Sequence, residues 1–178
     1  MQQKPHLSLL IKPASSLCNL KCKYCFYHDV AESRNTVSFG IMQDKTTENL
    51  INKAFDYATE SISFMFQGGE PTLAGLGYFR KFIDYVNHAK EKKPKKFNVN
   101  YAIQTNGINI DEEFAKFLRD NNFLVGLSLD GTKQVHDYLR GEDSHKKVMK
   151  TAAVLTKNKV DFNILCVVSA YLVKHIEK

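Results

Sequence analysis

The chain has 178 residues, of which 43% are hydrophobic, 11% aromatic and 25% charged. These fractions are typical of a folded globular domain and exclude a disordered, collagen-like or low-complexity chain. The formal net charge of +6 is a small excess, and its densest part, residues 90–96, contains no interleaved aromatic side chain. We therefore interpret that run as a solvated loop and expect no nucleic-acid partner.

Neither end of the chain shows a targeting or membrane pattern. No apolar run approaches the roughly 20 residues of a membrane-spanning helix. The N-terminus lacks the long apolar stretch and the cleavage site of a signal peptide. We expect one domain over residues 1–178, a cytoplasmic location and no membrane partner.

In chain order, hydrophobic periodicity predicts five strands that alternate with four helices. The predicted strands are residues 7–12, 61–67, 97–104, 123–129 and 162–168. The predicted helices are a segment capped by Asp44, residues 77–91, a segment that begins at Asp111, and residues 144–158. This alternation is typical of parallel β-α-β units with right-handed crossovers, in either a doubly wound sheet or a barrel-like one.

The unusual residues follow the predicted strands. A cysteine-rich loop follows the first strand, and the second, third and fourth strands are followed by residues 68–72, 104–107 and 128–131. In both candidate folds, functional loops gather at the carboxyl ends of the strands. The sequence therefore predicts one site built from these four loops.

Three of the four cysteines, Cys18, Cys22 and Cys25, lie within eight positions, which indicates metal binding in a reducing compartment. A structural zinc ion takes four ligands, and His28 is the nearby residue that could complete such a site. The spacing differs from that of electron-transfer ferredoxins, which use four cysteines for each cluster. Three thiolates on a [4Fe-4S] cluster would leave one iron open for a ligand, and we favour this interpretation. Cys166 is expected to be a buried side chain within the last strand.

The cysteine spacing, with Tyr24, Phe26 and Tyr27 interleaved, resembles the signature of the radical S-adenosylmethionine (SAM) enzymes. Five strings in order, IKPASSLCNLKCKYCFY, FQGGEPTLAG, QTNG, FLVGLSLDG and FNILCVV, resemble the anaerobic sulfatase-maturating enzymes. The resemblance runs from about residue 7 to residue 169. It implies an α/β fold, a partial (β/α)6 barrel of the radical SAM type, truncated here after about five strands.

The resemblance also implies roles for individual residues. Cys18, Cys22 and Cys25 would hold a [4Fe-4S] cluster whose fourth iron binds the methionine part of SAM. The implied SAM contacts are the Tyr27 backbone at the adenine, the Gly69 carbonyl at the methionine ammonium, and Ser128 and Arg140 at the methionine carboxylate. Glu70 would add charge pairing, and Gln104 and Asn106 would face a substrate peptide.

The activity implied by the resemblance is reductive cleavage of SAM to a 5'-deoxyadenosyl radical. The parent reaction would oxidise a sulfatase cysteine or serine to formylglycine, with a reduced ferredoxin or flavodoxin type electron donor. The family's auxiliary iron–sulfur clusters and proton acceptor are expected beyond residue 178, so no catalytic residue is assigned. Two alternatives stay open: another peptide-modifying radical SAM maturase, such as a thioether-forming one, and a catalytically silent metal-binding fragment.

Overall fold

The computed structural model describes residues 3–94 and 96–175. Over these residues the chain forms one parallel sheet with strands in the order β1 (Lys4–Ile11), β2 (Ala58–Phe66), β3 (Asn98–Thr105), β4 (Phe123–Ser128) and β5 (Phe162–Leu165). The helices are α1 (Phe26–Glu32), α2 (Asp44–Tyr57), α3 (Leu76–Lys90), α4 (Glu112–Asp120), α5 (Lys133–Arg140), α6 (Ser144–Lys157) and α7 (Ala170–Val173), with a 3-10 helix at Pro71–Ala74. Within the described ranges no helix is both long and apolar enough to cross a membrane.

The five predicted strands and their parallel pairing are confirmed, whereas the predicted number of helices is wrong. Helices α1, α5 and α7 have seven, eight and four residues, which is too short for a clear 3.6-residue repeat. The helix predicted to begin at Asp111 begins one residue later, at Glu112, and Asp111 is its cap, because its carboxylate accepts a hydrogen bond from the Phe114 amide at 2.8 Å. The prediction that Asp44 is a cap is wrong, since Gln43 occupies the cap position and Asp44 is the first helical residue.

The hydrophobic core lies between one face of the sheet and the helices. Alternate residues of β2 (Ile62, Phe64 and Phe66) are buried there. Phe82 of α3 packs against two of them, with ring centroids 5.1 Å from Phe64 and 5.0 Å from Phe66. Because successive strand residues point to opposite faces, this row of aromatic side chains defines the covered face.

The other face of the sheet carries a row of apolar side chains that the helices do not cover. Leu10, Met65, Ala102 and Leu124 are in register across four strands. Leu10 is 56% exposed and Leu124 is 47% exposed. A doubly wound sheet has helices on both faces, so one-sided cover favours the partial barrel, with this row on its concave side. The barrel is not closed, because β1 and β5 do not pair over the described residues.

The last strand differs from its prediction in a way that matters for the fourth cysteine. β5 ends at Leu165, three positions before the predicted end. Cys166 therefore lies just beyond the strand and is exposed, so the prediction that it is a buried core residue is wrong. The physical reason is that β5 is an edge strand in the described sheet, with no neighbouring strand to cover its end.

Candidate functional site

A cavity of about 280 Å³ lies at the carboxyl ends of the strands. Its walls include all seven residues predicted for the cluster and SAM: Cys18, Cys22, Cys25, Tyr27, Gly69, Ser128 and Arg140. These residues come from loops up to 122 positions apart, between residues 18 and 140, and meet because parallel strands end at one edge of the sheet. The structure thus brings together the groups that the sequence placed after separate strands.

The three cysteines belong to the long loop between β1 and α1. Cys25 caps α1, and its amide donates to the Cys22 carbonyl at 3.0 Å. Burial raises the pKa of the Cys18 thiol. Burial also raises the pKa of Cys22 to about 11, although the Arg140 guanidinium opposes this shift. Both thiols are therefore protonated in the metal-free protein at neutral pH, and a bound metal would displace those protons.

The donor set fits an iron–sulfur cluster. Three soft thiols line one cavity, and in a cluster each thiolate binds a different iron. Over the described residues, no three His, Cys, Asp or Glu side chains converge closely enough to hold one metal ion. His28, the fourth ligand of the zinc alternative, lies on α1 with its Nε2 3.4 Å from the Glu32 carboxylate.

Gly69 is positioned by close packing against the cysteine loop. Its φ of +61° lies in the left-handed region, and a Cβ there would lie 2.5 Å from the Leu17 carbonyl oxygen and 2.9 Å from that of Ser15. The neighbouring Glu70 amide donates to the same Leu17 carbonyl at 2.7 Å. The glycine therefore lets the cysteine loop approach the end of β2.

The Glu70 carboxylate is buried and ties two rim loops together. One oxygen accepts hydrogen bonds from the Thr72 amide at 3.0 Å, the Thr72 hydroxyl at 2.7 Å and the Thr105 hydroxyl at 2.7 Å. The other oxygen accepts from the Asn106 amide at 2.8 Å. Since its own chain supplies four donors, Glu70 joins the loops after β2 and β3, a role that the predicted charge pairing with a ligand did not include.

The two residues expected to face a substrate have different surroundings. Gln104 lines the cavity and also the concave face of the sheet. The Asn106 side chain also reaches the cavity wall, but it donates to the Asn19 side-chain oxygen at 2.7 Å and accepts from the Ile108 amide. Asn106 therefore holds the cysteine loop, and Gln104 is the residue open to a ligand.

Arg140 ends α5 and forms a buried, two-point ion pair with Asp130. Its Nε lies 2.7 Å from Oδ2 and its Nη2 lies 3.1 Å from Oδ1. The Tyr24 hydroxyl donates to the same carboxylate. Burial acts to raise the pKa of Asp130, but hydrogen bonds from Arg140 and Tyr24 outweigh burial and lower it. Asp130 is therefore ionised at neutral pH.

Sequence reasoning placed Asp130 in the loop after the fourth strand but gave it no role, and it missed His136. The sequence before Gly131 reads as a turn that closes the fourth strand, and His136 carries no spacing pattern. In the structure the His136 ring is fully buried, and its Nδ1 accepts a hydrogen bond from the Asp130 amide at 3.1 Å. A polar residue directly after a barrel strand was the available signal, since that position commonly carries function.

Tyr27 lies on α1 at the mouth of the cavity. Its ring is 4.5 Å from the Lys12 ammonium and packs against the Phe26 ring at 4.1 Å. Lys12 follows the last residue of β1, so this contact links the strand end to the helix that follows the cysteines. Tyr27 therefore lies on the cavity wall, and its expected backbone contact to the adenine of SAM stays a prediction.

Comparisons with known proteins agree with this geometry. The radical SAM superfamily matches residues 13–176. The cysteine-type anaerobic sulfatase-maturating enzyme of Clostridium novyi is 48% identical over 97% of this chain and 46% of its own length. The serine-type enzyme of Bacteroides thetaiotaomicron is 31% identical over 93% of this chain and 40% of its own.

A solved structure described as native anSMEcpe with bound AdoMet and Kp18Cys peptide has a TM-score of 0.87 and 47% identity. The match covers 98% of this chain and 47% of that chain. The chain therefore spans about half the length of the curated relatives and solved structures that it matches.

Proposed function

The chain belongs to the radical SAM superfamily, and we propose that residues 1–178 form a radical SAM core that holds a [4Fe-4S] cluster on Cys18, Cys22 and Cys25 and binds SAM beside it. The observation that carries the proposal is the single cavity lined by these thiols together with Tyr27, Gly69, Ser128 and Arg140.

A [4Fe-4S] cluster held by Cys18, Cys22 and Cys25 would supply the one-electron chemistry for reductive cleavage of SAM. The chain contributes binding and orientation. Three thiolate ligands would leave one iron available to the amino and carboxylate groups of the methionine part of SAM. The Arg140 guanidinium and the Ser128 hydroxyl supply donors for that carboxylate, and a planar guanidinium suits this anion.

We further propose that the substrate is a sulfatase peptide whose cysteine is oxidised to formylglycine. The support is the higher identity to cysteine-type relatives, 48% against 31% for a serine-type one, and the peptide named with a related structure. The cluster needs a one-electron donor, for which a reduced ferredoxin or flavodoxin is the suitable class. Formylglycine formation belongs to the whole length of such enzymes, of which this chain spans about half.

The first experiment is anaerobic reconstitution followed by incubation with SAM and dithionite. We expect about four irons per chain and release of 5'-deoxyadenosine. Cys18→Ala, Cys22→Ala and Cys25→Ala should each abolish both. Cys166→Ala is the matched control, because Cys166 is a free, exposed thiol outside the cavity walls, and it should keep the full iron content. Stoichiometric zinc without iron uptake would support the silent metal-binding alternative.

The second experiment is mass analysis of a sulfatase-motif peptide after anaerobic turnover. Conversion of cysteine to formylglycine removes about 18 Da, whereas thioether formation removes about 2 Da, so the two maturase activities are distinguishable. For the 178-residue chain we expect SAM cleavage and neither change. Once three cysteines hold the first cluster, one of its four cysteines remains for the auxiliary clusters that would take the substrate's electrons. A peptide lighter by about 18 Da would contradict this expectation.

A further inference from the structure

The Asp130 carboxylate accepts four hydrogen bonds at the rim, as many as Glu70 does, and none of the predicted roles includes it. Its carboxylate is fully buried, two positions after the end of β4. Oδ1 accepts from Arg140 Nη2 at 3.1 Å and from the Val167 amide at 3.0 Å. Oδ2 accepts from Arg140 Nε at 2.7 Å and from the Tyr24 hydroxyl. These donors come from three different parts of the chain: the cysteine loop, the end of α5 and the segment after β5.

All three residues that donate to this carboxylate line the cavity, whereas Asp130 itself lies behind them. A carboxylate in that place would act on a ligand through these three residues and not by direct contact. Four hydrogen bonds use the acceptor capacity of the two oxygens, so the orientation of each donor is specified.

Arg140 keeps donors for a ligand while it is held by Asp130. A guanidinium has five N–H groups, and the ion pair uses one on Nε and one on Nη2. Three N–H groups remain on a side chain that forms part of the cavity wall. A guanidinium gripped at two points cannot rotate freely, so the remaining donors are preorganised for an anion.

Tyr24 carries the same connection into the cysteine loop. It lies between Cys22 and Cys25, and its ring is 5.4 Å from the Arg140 guanidinium carbon. The adjacent Lys23 amide donates to the Leu139 carbonyl at 2.8 Å, so the loop is attached to the end of α5 at two points. The position of two thiol ligands therefore depends on the same carboxylate that holds Arg140.

We propose that Asp130 is a positioning residue that orients Arg140 for the carboxylate of SAM and fixes Tyr24 between two cluster-binding cysteines. The proposal rests on the proposed function and deepens it, because it names the residue that couples SAM recognition to the cluster loop.

The test measures SAM affinity of the cluster-loaded protein for Asp130→Asn, Arg140→Gln and the double variant. We expect Asp130→Asn to weaken SAM binding about tenfold and Arg140→Gln to weaken it at least as much. If Asp130 acts through Arg140, the double variant binds SAM as Arg140→Gln does. The matched control is Asp120→Asn, since Asp120 also pairs at two points with an arginine, Arg119, but is exposed and distant from the site. It should bind SAM like the parent protein.

A second readout is the electron paramagnetic resonance spectrum of the reduced cluster before SAM is added. Asp130→Asn and Tyr24→Phe should retain the iron and shift this spectrum in the same direction, whereas Asp120→Asn should not shift it. If the ion pair were merely structural, Asp130→Asn would lower the melting temperature and leave the spectrum and the SAM affinity of the folded protein unchanged. That outcome would overturn the proposal.

Two further outcomes are decisive. Asp130→Asn leaves the buried Arg140 charge unpaired, which destabilises the fold. If this variant does not fold for that reason, the double variant, which removes both charges, is measured in its place. SAM binding in the double variant that is clearly weaker than in Arg140→Gln would overturn the proposal, and equal binding supports it. Failure of the parent protein to take up iron or SAM would instead contradict the proposed function.

Discussion

The aromatic core and the polar rim are held together by different forces. In the core, Phe64 and Phe82 contact each other edge to face at 5.1 Å and are almost fully buried among other apolar side chains. At the rim, Glu70 and Asp130 are equally buried but each accepts four hydrogen bonds. Apolar burial is non-directional and scales with area, whereas these hydrogen bonds specify where each loop lies. The core therefore supplies stability, and the rim supplies position.

Truncation of a core aromatic should give the largest effect on stability. Phe64→Ala is expected to lower the free energy of unfolding by about 3–5 kcal/mol, because it removes buried apolar area and leaves a cavity. Chemical denaturation measures this. Leu124→Ala is the control on the opposite face of the sheet, where the side chain is 47% exposed, and should cost less than about 1.5 kcal/mol. A smaller loss of unfolding free energy for Phe64→Ala than for Leu124→Ala would contradict the assignment of the core face.

Glu70→Gln tests the hydrogen bonds of the rim without changing the aromatic core. The amide keeps one acceptor oxygen but turns its NH2 group toward donors, so we expect a loss of about 2–3 kcal/mol in unfolding free energy. Iron retention after reconstitution should fall as well, because the loops after β2 and β3 lose their common anchor. Glu60→Gln is the control, since Glu60 is an exposed residue near His6. Equal stability of the two variants would show that the Glu70 hydrogen bonds contribute nothing net.

The pH dependence of stability should report the buried His136. Burial, with Arg140 and His145 nearby, lowers its pKa from 6.5 to about 4, while Asp130 and Asp137 oppose the shift. Below pH 6.5 the unfolded chain binds a proton that the folded chain does not bind until about pH 4, so stability falls as the pH falls through this window. Between pH 7 and pH 5 the loss should be roughly 2 kcal/mol.

The measurement for His136 is the difference in this pH profile between the parent protein and His136→Asn, which removes the titrating group and keeps an acceptor near the Nδ1 position. The two profiles should differ in slope between about pH 6.5 and pH 4 and run parallel above and below that window. Profiles that are parallel throughout would show that His136 has an ordinary pKa in the folded protein.

The smallest effect is expected from a comparison of two glycines. Gly40 and Gly69 have φ values of +71° and +61°, but a Cβ on Gly40 meets nothing within 4 Å, whereas one on Gly69 meets the backbone of the cysteine loop. Gly40→Ala should cost about 1 kcal/mol of backbone strain, and Gly69→Ala should cost more, because its Cβ would clash with backbone carbonyl oxygens and force the cysteine loop to move. Only Gly69→Ala should lower iron occupancy. Equal iron content in both variants would argue against close packing of Gly69 on the loop.

Periodicity and spacing were sufficient to predict the five strands, four of the helices, the edge at which the site forms and the three clustered cysteines, whereas Tyr27, Gly69, Ser128 and Arg140 came from the family resemblance. Strand and helix periodicities are local, and parallel topology places every loop that follows a strand at the same edge. The strand predicted over residues 123–129 illustrates this, since β4 covers Phe123–Ser128. Helix α5 was missed because eight residues barely exceed two turns.

The choice of partners at the rim was decided by tertiary structure. Tyr24 and Asp130 are 106 positions apart and Glu70 and Thr105 are 35 apart, and no local pattern links them. The exposure of Cys166 likewise depends on where an edge strand ends and not on the apolar residues around it. Hydrogen-bond partners depend on distances of a few ångströms between loops, which periodicity and spacing do not encode, so the positions of Asp130 and Glu70 emerge only when the chain is folded.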